Sequence, residues 1–115
     1  MLRNYFNGLY QRTMHEAYAT ARAATAAALQ DGGQCLDCGA TEGHEFEHLN
    51  SSIGLTADRY TGIEWNAAVA TAGQAKGLNI LQGDLNKAIE LPDGQYRCVF
   101  GFSVLEHLLN PCNYL

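Results

Sequence analysis

Four short runs rich in apolar and β-branched residues recur along this chain, at residues 34–37, 60–64, 78–81 and 98–102, and helix-forming or turn-forming stretches separate them. Strands that alternate with helices fold as a parallel sheet, because the connection between parallel strands must cross over a sheet face. The alternation therefore predicts one α/β domain with three layers and a mostly parallel sheet. With 115 residues there is room for one such domain and no second.

Each element has its own start and stop signals. Residues 2–29 read as a helix, with a possible break near Gly8, since Leu2, Phe6, Leu9, Tyr10, Met14 and Tyr18 recur at three- and four-residue steps ahead of an alanine-rich stretch. Asp31-Gly32-Gly33 ends it. A second helix is expected from Thr41 or Glu42 to Asn50, followed by a loop over residues 51–58. Asn66 is a good N-cap for a third helix, closed by Gly77. A polar or helical segment leads to the turn Pro92-Asp93-Gly94, and a last helix over residues 104–109 stops before Pro111.

Charge and cysteine content exclude several classes of function. The net charge is −5, and residues 1–30 carry three arginines against one glutamate, so the remainder carries −7. An acidic body repels phosphate backbones, which argues against nonspecific nucleic-acid binding. No run approaches the roughly 18 apolar residues of a membrane helix, and the start lacks a long apolar signal region. A cytoplasmic location is the expectation, and in that setting Cys35, Cys38, Cys98 and Cys112 are thiols and not a disulfide framework.

Open parallel sheets bind ligands outside the carboxyl ends of their strands. The first strand ends in Asp37, followed by Gly39 and Gly43, which let a backbone approach a ligand closely. The second ends in Glu64, able to accept from both hydroxyls of a ribose, and the third in Gly83-Asp84, an acceptor for an exocyclic amino group. Three acids at three successive strand ends suit a nucleoside. Taken singly, Glu64 and Asp84 read equally well as solvated acids or helix caps, Trp65 as core, and Glu106 and His107 as packing or capping residues. Cys35-x-x-Cys38 with His44-x-x-x-His48 has the residue types of a zinc site. Only five residues separate its halves, against roughly twelve in a DNA-binding finger. The two cysteines of an extended segment also point in different directions, so no metal site is expected. A redox pair is disfavoured because the second cysteine precedes a glycine turn. Nor do the glycines, spaced G-x-x-x-G behind an acid, fit the G-x-G-x-x-G dinucleotide fingerprint.

The pieces LDCGATEG (36–43), YTGIEWN (60–66), LNILQGDLN (78–86) and VFGFSVLEHLLNP (99–111) resemble, in order and spacing, the class I S-adenosylmethionine-dependent methyltransferases. GLNILQGDLNKAIELPDGQY followed by SVLEHL is most similar to the small bacterial members named for methionine biosynthesis. The resemblance implies a Rossmann-like sheet and S-adenosylmethionine as cofactor, leaving S-adenosylhomocysteine as product. It places Asp37, Gly39, Thr41 and Gly43 around the methionine part, Glu64 on the ribose, Trp65 and Leu85 beside the adenine, Asp84 on its amino group and Ser103 beside the sulfonium. Glu106 or His107 would serve as base for an acceptor that arrives protonated. Two departures stand out: Thr41 occupies a position where the family most often has glycine, and Arg97 one where an acid often precedes the fourth strand.

The family sheet has seven strands, of which this sequence supplies the first four, so the resemblance implies a fold truncated after the fourth. The expected organisation is an N-terminal helical segment, 1–33, and a partial cofactor-binding domain, 34–115. Methyl transfer to an unidentified acceptor is the leading function, set against a noncatalytic nucleoside-binding or oligomerisation module and, behind both, a small zinc-binding domain. The apolar fourth strand would be an open edge, so a homo-oligomer, or pairing with the absent half of the fold, is expected.

Overall fold

A computed structural model describes residues 2–102 of the chain. In chain order the elements are α1 (Leu2–Leu29), β1 (Gln34–Cys38), α2 (His44–Ile53), a 3-10 turn (Ala57–Arg59), β2 (Tyr60–Glu64), α3 (Ala67–Ala75), β3 (Asn79–Gln82) and β4 (Tyr96–Phe100). The four strands form one all-parallel sheet in the order β3-β2-β1-β4. The expected α/β class and Rossmann-like sheet are thus observed, with the N-terminal helix in place. The last helix expected from sequence, over residues 104–109, lies outside the described residues, as does Cys112.

α1 runs unbroken through Gly8. Its early apolar stripe, Leu2, Tyr5, Phe6, Leu9 and Tyr10, is exposed, Met14 and Tyr18 are half-buried, and full burial is reached only at Thr25 and Leu29. Gly32 and Gly33 turn the chain at positive φ, and Arg59 closes the helix by donating to the carbonyls of Leu29 at 2.6 Å and Gly33 at 2.8 Å. A cation there also meets the negative end of the helix dipole.

α2 starts at His44, later than expected, because Gly43 takes φ 98° and cannot continue a helix backwards. It ends at Ile53, beyond the expected Asn50, where Gly54 at φ 68° forms the left-handed cap. α3 follows the expectation: Asn66 Oδ1 accepts from the N–H groups of Ala68 and Val69.

Alternation along the strands divides the core in two. Cys35, Tyr60, Ile80 and Phe100 face a cluster with Leu29, Leu49, Leu55, Ala70 and Leu78 from the helical side. Leu36, Cys38 and Ile63 face the other way, covered by Leu85, Ile89, Leu91 and Tyr96. The covering segment between β3 and β4 contains turns and no helix, which settles the polar-or-helical alternative at that point. Cys35 and Cys38 lie in opposite clusters, so their thiols cannot converge on one ion. Among the described residues no group of three or more His, Cys, Asp or Glu side chains is placed to hold a metal.

Candidate functional site

β1→β2→β3 proceeds outward on one side of β1, and the chain then returns to place β4 on the other. Open parallel sheets bind ligands at such a reversal, outside the carboxyl ends of the strands, which here means the carboxyl end of β1. Asp37, paired with Gly62 on β2 and Phe100 on β4, stands at that point.

The loop after β1 is tied down by its own backbone. Gly39 takes φ 79°, and the N–H groups of Gly39 and Ala40 both donate to the Ile63 carbonyl at 2.9 Å. Thr41 is the sole non-glycine residue with positive φ among the described residues, at 52°. A β-branched side chain in that region is strained. Its N–H donates to Glu64 Oε1 at 3.2 Å, and the second carboxylate oxygen, Oε2, accepts from the Asn66 N–H at 2.8 Å. Glu64 is only 6% exposed, so one carboxylate joins the β1 loop to the entrance of α3.

Gly43 plays a packing part at this end of the loop. A Cβ there would collide with Leu78 Cδ1, so the glycine lets the entrance of α2 lie against the side chain that leads into β3.

Asp37 is 2% exposed. Tyr60 donates its hydroxyl to Asp37 Oδ2 at 2.6 Å. Burial pushes the Asp37 carboxyl up to about 7, against the opposing pull of the Tyr60 hydrogen bond, with Glu45 and Glu64 adding to the rise. The Tyr60 hydroxyl is itself raised by burial and by the neighbouring Asp37. Glu45 is held by Arg22 of α1 through two hydrogen bonds of 2.8 Å, a bidentate pair that fixes α1 to α2.

Asp84 follows β3 and accepts from the backbone N–H of Asn86 at 2.9 Å and its side-chain amide at 3.0 Å, both on Oδ1. Trp65 is 72% exposed, which rules out the core reading. Leu85 is half-buried on the second cluster. Ser103, Glu106 and His107 lie outside the described residues. Cys35 is buried, and its thiol is pushed up to about 12 by burial, so it serves as core and not as a nucleophile.

The acids and the glycine loop are visible in the sequence, whereas the parts played by Tyr60 and Gly62 are not. Tyr60 reads as an ordinary strand residue, and its link to Asp37 appears only once the β1–β2 register is known. The one available signal was Y-x-G opposite an acid-ending strand.

The family model described as a methyltransferase domain matches residues 10–115 of the chain. A search of curated proteins gave no match. Among solved structures, the S-adenosylmethionine-bound CalS10, an amino pentose methyltransferase from Micromonospora echinaspora, aligns at 18% identity with TM-score 0.62, over 95% of this chain and 46% of its own. The sugar N-methyltransferase KedS8 from a Streptoalloteichus species aligns at 15% identity with TM-score 0.58, over 81% of this chain and 36% of its own. A chain of a Haloferax volcanii complex that contains the Trm112 methyltransferase activator aligns at 18% identity with TM-score 0.61, over 72% of this chain and 37% of that one. The chain thus spans less than half the length of these structural neighbours, and at these identities the likeness is one of fold.

Proposed function

Because the chain belongs to the methyltransferase domain family, we propose that it binds S-adenosylmethionine at the carboxyl ends of β1, β2 and β3 and takes part in methyl transfer. The observation that carries this reading is the placement of Asp37, Glu64 and Asp84 at three successive strand ends around a glycine-bearing loop. Their acceptors match the donors of that cofactor: an ammonium group, two ribose hydroxyls and an adenine amino group.

In this reading Asp37 takes the ammonium group, and the backbone of Gly39, Thr41 and Gly43 borders the methionine part. Glu64 has one donor on each oxygen from the protein, and the remaining lone pairs accept from the ribose hydroxyls. Trp65 and Leu85 flank the adenine, and Asp84 accepts from its amino group. Ser103 borders the sulfonium. When bound, the cofactor supplies a methyl carbon on a positively charged sulfur, open to in-line displacement. The protein's part is to position it and exclude water, with Glu106 or His107 taking the proton of an acceptor that arrives protonated. No helix among the described residues is long and apolar enough to cross a membrane; a cytoplasmic, self-associating protein completes the reading.

Calorimetric titration with S-adenosylmethionine and S-adenosylhomocysteine tests the assignment. Asp84→Ala and Glu64→Ala should each weaken binding about tenfold or more, the size of a lost hydrogen bond to a charged group. Absence of heat and of thermal stabilisation at millimolar ligand would overturn the cofactor, and unchanged affinity in both variants would overturn the site map. Release of methyl groups to candidate acceptors separates an enzyme from a module that only binds.

A further inference from the structure

Tyr60 and Asp37 form a buried pair that the roles assigned above leave unexplained. Tyr60 is 1% exposed, and its ring is held edge-on by Phe46, with centroids 5.3 Å apart. In the β1–β2 register Tyr60 sits opposite Cys35, and Asp37 opposite Gly62, two residues further along the same sheet face. A Cβ on Gly62 would stand 3.2 Å from the Tyr60 hydroxyl oxygen and 2.5 Å from Ala40 Cβ. The missing side chain is what gives the ring passage across β2 to reach Asp37 Oδ2.

The charges facing Asp37 make that hydrogen bond matter. Glu64 of β2 and Glu45 of α2 both disfavour its ionised form, and Cys35 on its own strand is a buried thiol. Arg22 of α1 is engaged by both oxygens of Glu45. Tyr60 is therefore the donor that favours a carboxylate here over a carboxylic acid.

Resting on the cofactor reading above, we propose that Tyr60 is a positioning residue: through the gap at Gly62 its hydroxyl fixes Asp37 Oδ2, leaving Oδ1 to receive the ammonium group of an amino-acid-bearing nucleoside. A ligand that lacks the amino acid would gain nothing from the device.

The test compares S-adenosylhomocysteine with 5′-methylthioadenosine, which keeps the nucleoside and thioether and has no amino acid, on the 115-residue chain across pH 6 to 8.5. Wild type should bind the homocysteine compound more tightly as pH rises through the Asp37 transition, after correction for the ligand's own amino group, and bind the methylthio compound independently of pH. Tyr60→Phe should weaken the first about tenfold near neutral pH and move its transition upward, leaving the second unchanged. Equal weakening of both ligands would reduce Tyr60 to a packing residue and overturn the proposal, as would an unaltered pH profile. Binding of neither ligand to wild type would overturn the cofactor reading itself, a separate and distinguishable result. Asp37→Asn provides a second variant should Tyr60→Phe fold poorly: it should abolish the pH dependence for the homocysteine compound and spare the methylthio compound, and a retained pH dependence would overturn the proposal.

Discussion

Asp37 shows how one residue can tie stability to function. Its carboxyl, normally near 3.8, is pushed to about 7 by burial in the folded chain. Between those values the folded state holds a proton that the unfolded state has released. The sign follows from linkage: stability from this group is full below about pH 4 and is lost as pH rises through about 7. Each tenfold change in an ionisation equilibrium is worth about 1.4 kcal/mol, so the rise from 3.8 to about 7 means that the folded site disfavours the ionised form by roughly 4 kcal/mol at pH 8. Asp37→Asn cannot ionise and keeps an acceptor for Tyr60. Urea unfolding should therefore find the variant more stable than wild type at pH 8 and close to it at pH 4; an equal difference at both pH values would refute the account. Asp37 was readable from sequence because it ends an apolar run before a glycine. Tyr60, which restrains it, was not: the two are far apart in sequence and meet only through strand register.

Among the elements, the strands and helices were legible where local chemistry terminates them, as at Asn66 and Gly77. They were less legible where packing decides. The fourth strand was expected over residues 98–102 from its apolar content alone, yet β4 is Tyr96–Phe100, since β1 sets its pairing and Tyr96 packs on the second core cluster. α3 offers a sharper case in Gly73. Helix propensity alone favours Ala at an interior position by about 1 kcal/mol. Packing opposes it, because a Cβ there would collide with Ile80 Cδ1 and lie 3.2 Å from the Glu42 carbonyl oxygen. Overpacking of a core costs roughly 1–3 kcal/mol, so it outweighs propensity, and Gly73→Ala should destabilise by about 1 kcal/mol. Ile80→Val removes the colliding methyl. The double variant should then cost less than the sum of the two singles, and strict additivity in denaturant unfolding would show that α3 has room to spare.

At the scale of the whole molecule, the element order could be read from the chain, whereas the sheet order could not be derived from its residues and entered only through the family resemblance. That order puts β4 at one margin of the sheet, with β1 as its single strand neighbour among the described residues. Val99 on β4 is 57% exposed. A strand margin without a pairing partner among the described residues is a template for pairing with another chain, and a second copy presents the same margin. Sedimentation at micromolar concentration should therefore show a dimer or larger species, and Val99→Lys, which places a charge on the strand, should shift it to monomer. Ionic strength gives an independent check. Residues beyond 30 carry −7, so two bodies repel at low salt, and screening should strengthen the association as the Debye length falls to about 8 Å near physiological salt. Contacts made by ion pairs would weaken with salt instead, so the direction of the salt effect discriminates an apolar strand margin from a charged interface.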